Sequence, residues 1–134
     1  MKKVFIKEKF ELIEKNKVHK IGTFTEELIK ELPEPLKKYL RVCGYIDSTV
    51  PVNANVYWNE SWLKMSPVKE WSKLYTTQFN SVQPIGRVAY MKILGMPVAA
   101  RDLYRDGYGE MNVKLFNLIK VAFDNSKEVA QSAL

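Results

Sequence analysis

The chain has 134 residues, of which 46% are hydrophobic and 12% aromatic, and a formal net charge of +6. This length fits one domain, and the apolar content excludes a chain that is disordered throughout. Cys43 is the only cysteine, so an internal disulfide is excluded. No segment reaches the roughly 20 apolar residues of a membrane span or the roughly 7 of a signal peptide. As written, the chain is expected to be cytoplasmic, although trimming of a leader or an anchor would leave the same sequence.

Residues 1–22 are predicted to form a basic N-terminal segment, because residues 1–20 hold seven Lys against three Glu. Phe10 and Ile13 share helical spacing, which predicts an amphipathic helix over about 7–16. A basic end attracts nucleic acid or an anionic membrane, but it is more often simply a solvated end. Arg is sparse and no basic run is interleaved with aromatic residues, so the sequence argues against nucleic-acid binding.

Two further helices are predicted at about 24–32 and 35–43. Thr23 and Glu26 have the spacing of a capping box, in which each side chain bonds the other residue's backbone amide. Pro33 ends the first of these helices, and Pro35 fits the first turn of the second, where its missing N–H costs nothing. Gly44 is the predicted end of the second helix.

From Asn53 onward the apolar period changes to two, which predicts strands at about 53–64, 70–80, 86–94, 97–105 and 110–119. Short turns separate these five strands, so an antiparallel meander is expected, as a curved sheet or half-barrel. Asp106-Gly107 supplies the positive-φ positions of a tight hairpin turn, and Gly109 is a second permissive position where a bulge could lie. The fold class is therefore α+β, with residues 23–134 forming a single domain.

Few residue combinations here are typical of catalysis. His19 is the only histidine and lies among lysines, so a solvated side chain is expected. One Cys and one His make no zinc ligand set, and neither a metal nor a cofactor is predicted. Asp102 and Glu110 lie at similar distances from the Asp-Gly turn, so they could face each other as a carboxylate pair. Cross-strand ion pairing of Asp102 with Arg101, Arg105 or Lys114 is the simpler interpretation.

The strands are rich in large aromatic side chains with polar tips. Such a stripe either packs against helices or lines a cavity for an apolar ligand, and two short helices barely cover five strands. The residues predicted to face a ligand are Trp58, Trp71, Tyr75, Tyr90 and Tyr104.

Motifs along the chain carry a resemblance to a known family. Asp-x-Tyr-x-Asp-Gly-x-Gly-x-Met is met in full, and a Leu-Pro-x-Pro turn followed by Tyr-Leu lies upstream. On these motifs, residues 24–120 resemble an uncharacterised bacterial family, a domain of unknown function. The chain departs from it at Lys38, where the family has Arg, and at Val88-Ala89, which lacks the family's Trp. The matching residues are Leu32, Pro33, Pro35, Tyr39, Leu40, Trp71, Gln78, Phe79, Asp102, Tyr104, Asp106, Gly107, Gly109, Met111, Leu115 and Leu118. Tyr75 matches the family's aromatic residue after Trp71 with a shift of one position.

The resemblance implies a longer domain, of which this chain looks like the N-terminal half or a shortened member. It also implies a sheet similar to the half-barrels of lipoprotein carriers and lipid-binding proteins, and by that analogy an apolar ligand.

Three functional hypotheses follow from the sequence. The first is a non-enzymatic binding module that presents an aromatic-lined sheet to an apolar or lipid-like ligand. The second is an assembly subunit whose edge strands at 53–64 and 110–119 pair either with a second copy of the chain, as a homo-oligomer, or with the other half of the family domain. The third is a hydrolase-like enzyme that uses Asp102 and Glu110.

Overall fold

The structure, a computed structural model, describes residues 1–16 and 22–132. The N-terminal helix and the residues from Asn53 onward form one compact unit, and residues 22–52 form another. None of the described helices is long and apolar enough to cross a membrane. The helices are α1 (Lys2–Asn16), α2 (Glu26–Ile29), α3 (Glu34–Val42) and α4 (Lys127–Ser132); the strands are β1 (Asn53–Lys64), β2 (Trp71–Ser81), β3 (Gly86–Ile93), β4 (Val98–Arg105), β5 (Tyr108–Leu115) and β6 (Ile119–Asp124).

The strands form one antiparallel sheet in which each strand pairs with its neighbour in sequence, in the order β1 to β6. The sheet is curved and not closed, so β1 and β6 are its edges. The predicted α+β meander is confirmed, with one strand more than the five expected. The predicted strand at 110–119 is divided, because Phe116 and Asn117 adopt positive φ values of 52° and 60° and reverse the chain. β5 therefore lies inside the sheet, and the edge strand is β6.

α1 packs across one face of the sheet, which we call the helix face. Phe5 and Leu12 of the helix are buried there, and only 5% and 1% of their surfaces remain exposed. The helix begins at Lys2 rather than near residue 7, because Phe5 anchors its first turns in the core and tertiary packing outweighs a weak local pattern. The core cluster consists of Phe5, Leu12, Phe79, Val88, Tyr90, Ala99 and Leu103.

Polar contacts hold α1 in register with the strands. Lys9 Nζ donates to Asn55 Oδ1 at 2.6 Å. At the C-terminal end of the helix, the Asn16 amide donates to Ser81 Oγ at 2.9 Å, with both side chains buried. Because these contacts join α1 to two different strands, they fix the direction in which the helix crosses the sheet.

The hairpin between β4 and β5 has the predicted tight turn. Asp106 and Gly107 are its central residues, with φ values of 53° and 80°, as a type I′ turn requires. Gly109 forms no bulge, since it pairs regularly with Tyr104. A Cβ at Gly109 would instead lie 2.6 Å from the backbone nitrogen and Cα of Ala130. The glycine is needed there because α4 packs directly on β5.

The unit containing α2 and α3 corrects one local prediction. Thr25, not Thr23, caps α2, because its hydroxyl accepts a hydrogen bond from the Leu28 amide at 3.1 Å. Thr23 forms an antiparallel bridge with Thr49. Glu26 does not reach back to a backbone amide but forms an ion pair with Arg41 of α3 at 2.7 Å. A long-range charge contact has replaced the local capping box.

The helix α3 has the predicted ends. Pro35 lies in its first turn, and Gly44 follows the C-cap residue Cys43. Its apolar side chains are largely exposed, with Leu36, Tyr39 and Val42 at 42%, 56% and 77%.

Candidate functional site

Four aromatic side chains lie along the helix face, from the core toward the turn between β1 and β2. We call them the aromatic strip, which consists of Tyr90, Tyr75, Trp62 and Trp71. Strand alternation and register place the side chains of its members on this one face. At the inner end the ring centroids of Phe5 and Tyr90 lie 6.4 Å apart.

Exposure increases along the strip. Tyr90 is 8% exposed, Tyr75 is half-buried against the core cluster, and Trp62 and Trp71 are 55% and 59% exposed. Burial, and to a smaller extent the neighbouring Tyr75, raises the pKa of the Tyr90 hydroxyl. The Tyr90 hydroxyl is therefore protonated at neutral pH, and the strip is most open to solvent at its outer end.

The outer end forms a shallow site. Trp62 pairs with Lys73 and Lys64 pairs with Trp71, so two indoles and two ammonium groups alternate on neighbouring strands. Lys73 Nζ lies 5.7 Å from the centroid of the Trp62 ring and 2.8 Å from Glu60 Oε2. The two indoles border a depression of about 420 Å³. Such a surface can stack on a flat or apolar group while a nearby cation meets an anionic one.

The five residues predicted to face a ligand do not share one surface. Trp71, Tyr75 and Tyr90 lie on the helix face, whereas Trp58 and Tyr104 lie on the opposite face. Trp58 is 40% exposed. Tyr104 is buried and borders a depression of about 420 Å³ between the β4–β5 turn and α4. Trp62 was not among the predicted residues, because a break in register between Trp58 and Ser61 shifts it onto the face of Trp71. The local alternation of polar and apolar residues in β1 does not indicate this register break.

The register also corrects the expected geometry of Asp102 and Glu110. Asp102 pairs with Met111 and Glu110 pairs with Leu103, so the two carboxylates point to opposite faces. Asp102 forms an ion pair with Arg87 at 2.6 Å rather than with any of the three bases that the sequence suggested. Their catalytic role remains a prediction, and the geometry brings no two carboxylates together there to support it.

A buried charge network on the helix face escaped the sequence analysis. The Arg101 side chain, only 7% exposed, contacts Glu8 of α1 at 2.9 Å and also pairs with Glu110. Glu110 in turn accepts a hydrogen bond from the Tyr108 hydroxyl at 3.0 Å. Burial raises the pKa of the Glu8 carboxyl, although Arg101 acts in the opposite direction. The network joins α1, β4 and β5, so its position indicates a structural role.

Within residues 1–16 and 22–132, no cluster of three or more His, Cys, Asp and Glu side chains could hold a metal ion. His19, for which a solvated side chain was expected, lies outside the described residues.

The fold and the strip define a class of protein, an α+β protein with an open antiparallel sheet that carries an aromatic surface. The profile of DUF6544, a family of unknown function, matches residues 22–134, and the chain belongs to that family. α1 precedes the matched residues. Comparison with curated proteins and with solved structures found no match.

Proposed function

We propose that the protein is a non-enzymatic binding module for an apolar, lipid-like ligand, and that the aromatic strip is the contact surface. The observation that carries the proposal is the alignment of four aromatic side chains on one face of the sheet, from the buried Tyr90 to the exposed indoles of Trp62 and Trp71. An exposed indole leaves a large apolar area in water. Covering this area with an acyl chain or a ring removes it from water, which lowers the free energy of the complex.

The surroundings favour a ligand with an acidic head and an apolar body. Lys64 lies on the same face as the two indoles, and no acidic group among the described residues lies within ion-pair distance of it. A carboxylate or phosphate could therefore reach this ammonium group while the apolar body lies along the strip.

The first experiment is native mass spectrometry of protein purified from cells, followed by solvent extraction and mass analysis of whatever is released. The proposal expects a fatty acid, lipid or isoprenoid at stoichiometric amount. The second is a titration with cis-parinaric acid, a fluorescent fatty acid. Trp71→Ala is expected to weaken its binding about tenfold, because one well-stacked aromatic anchor contributes on this order.

The matched control is Trp58→Ala, which removes an exposed indole from the opposite face of the same sheet. A clean apo mass together with no binding of the probe would overturn the proposal. Equal losses in both variants would show that the helix face is not the specific surface, and would favour the predicted contact of Trp58.

Assembly through a sheet edge is a second candidate, and one observation favours it. β6 is an unpaired edge on which every residue is exposed, including Ile119, Val121 and Phe123 at 61%, 59% and 42%. An exposed apolar edge of this kind can pair with another strand. The mass of the protein in solution as a function of concentration tests this candidate.

A further inference from the structure

The turn between β1 and β2 carries an unusual amount of exposed apolar surface. We call residues 62–71 the hairpin tip. Its most exposed side chain is Val68, at 93%. The exposed apolar residues of the tip are Trp62, Leu63, Met65, Val68 and Trp71.

The exposed apolar side chains of the tip point in several directions. Trp62 and Trp71 point to the helix face, Leu63 to the opposite face, and Met65 and Val68 lie in the connecting turn. A folded partner with one complementary surface would cover one of these directions. A fluid apolar phase can surround all of them at once, as the boundary between lipid headgroups and acyl chains does.

The charges around the tip fit an anionic surface. Lys64, Lys69 and Lys73 lie there against Glu60 and Glu70, and the whole chain carries a net charge of +6. Lys73 is paired with Glu60, but Lys64 and Lys69 have no acidic partner within the part of the chain that the structure describes. Trp and Lys together are typical of side chains at a membrane interface, where the indole lies at headgroup depth and the ammonium group reaches a phosphate.

We propose that the hairpin tip docks the protein on an anionic lipid membrane. Trp62, Trp71, Met65 and Val68 enter the headgroup boundary, while Lys64 and Lys69 contact lipid phosphates. This inference goes beyond the binding of a single ligand molecule, since Met65 and Val68 lie outside the aromatic strip.

Co-sedimentation with vesicles tests the proposal. The protein is expected to sediment with vesicles of phosphatidylcholine and phosphatidylglycerol, and about tenfold less with phosphatidylcholine alone, because each basic residue near an anionic surface adds attraction. The double variant Met65→Asp, Val68→Asp is expected to lose at least about tenfold in partition to the anionic vesicles. Both side chains are exposed, so the fold is expected to persist, and circular dichroism checks this.

The matched control is Val42→Asp, which introduces a carboxylate at another exposed valine, 77% accessible in α3. The charge that it adds lies outside the hairpin tip, so the partition is expected to fall by less than about twofold. Partition of the Met65→Asp, Val68→Asp variant equal to that of Val42→Asp would overturn the proposal. So would wild-type protein that stays in the supernatant with anionic vesicles at low salt.

A second readout separates docking from ligand binding. In the variant Trp62→Phe, Trp71→Phe the only tryptophan left is Trp58, and in Trp58→Phe only the two tip indoles remain. Vesicles are expected to shift the emission of the second variant to the blue and not that of the first. Binding of cis-parinaric acid without vesicles is measured on Met65→Asp, Val68→Asp, so loss of docking with retained ligand binding shows two separate properties.

Discussion

At the scale of single residues, a partly buried ion pair joins Arg87 of β3 to Asp102 of β4. Its N–O distance is 2.6 Å, and the two side chains are only 26% and 13% exposed. The pair lies diagonally across the strands, since Asp102 is directly opposite Ala89. A pair that is partly shielded from water leaves an uncompensated charge when one partner is neutralised.

We expect Asp102→Asn to lower the free energy of unfolding by about 1–3 kcal/mol, since Arg87 then lacks its counter-charge. Denaturant titration at neutral pH measures the change. The control is Glu27→Gln, which breaks a pair with Lys30 in which the Glu27 side chain is 75% exposed, and which should have a much smaller effect. Equal effects of the two substitutions would contradict a specific role for the Arg87 pair.

The buried Glu8 carboxyl predicts a dependence of stability on pH. Because burial raises its pKa in the folded state, the folded protein binds more protons than the unfolded one over this range. The contribution of Glu8 to stability is therefore fully present below the usual glutamate pKa of about 4.3 and is lost as the pH rises through the raised pKa.

Glu8→Gln removes this titration while keeping an oxygen that can accept from Arg101. We expect the stability of the variant relative to wild type to increase between about pH 4 and the raised pKa, and then to level off. Unfolding curves at a series of pH values measure the difference. A difference that is constant over this range would show that the folded-state pKa of Glu8 is not raised.

At the scale of elements, α1 determines how the helix face is covered. Leu12 is 1% exposed against the sheet, whereas Phe10 on the same helix is 57% exposed. Leu12→Ala is expected to cost about 2–4 kcal/mol of unfolding free energy, as for other fully buried leucines. Phe10→Ala, which removes a larger side chain, should cost less than about 1 kcal/mol. A similar loss in both variants, measured by denaturant unfolding, would contradict the packing of α1 on the sheet.

The turn between β5 and β6 contains one residue that is poorly suited to its backbone conformation. Phe116 has a φ of 52° and is 63% exposed, so it carries left-handed strain with little packing in return. Asn tolerates this conformation, and Phe116→Asn is expected to raise the melting temperature, with a gain of about 0.5–1 kcal/mol. The same substitution at Phe10, in the middle of α1, tests whether loss of an exposed phenyl ring alone stabilises the protein. A fall in the melting temperature of Phe116→Asn would show that the ring packs more than its exposure indicates.

At the scale of the whole molecule, the open sheet leaves β6 as an edge. If copies of the chain pair there, the mass in solution rises with concentration, and Val121→Lys lowers it to that of a monomer, because charges on an edge strand oppose pairing. Leu118→Lys is the control, since it adds the same charge at an 80% exposed position in the neighbouring turn. A monomeric mass of the wild-type protein at the highest concentration would exclude pairing through this edge.

The sequence predicted the sheet well where local chemistry dominates. Period-two alternation located β1 at 53–64, and Asp106-Gly107 has the turn geometry that its residue types favour. The division between β5 and β6 was missed, because Phe116 is not a residue that a tight turn favours and no glycine follows Asn117. The predicted cap of α2 was wrong by two residues, because Thr25 and not Thr23 caps the helix. Glu26 pairs with Arg41, which is 15 residues away in sequence, and no local pattern indicates this contact.

The sequence by itself determined the antiparallel meander, the position of its best turn and the abundance of aromatic side chains on its strands, since these depend on residues next to one another in the chain. Only the tertiary structure decided which aromatic residues share a face. The register break in β1 brings Trp62 beside Trp71 and leaves Trp58 on the opposite face. The packing of α1 buries Tyr90, whereas the two indoles stay exposed. Register and burial are set by contacts between distant segments, and a shift of one residue moves a side chain to the other face.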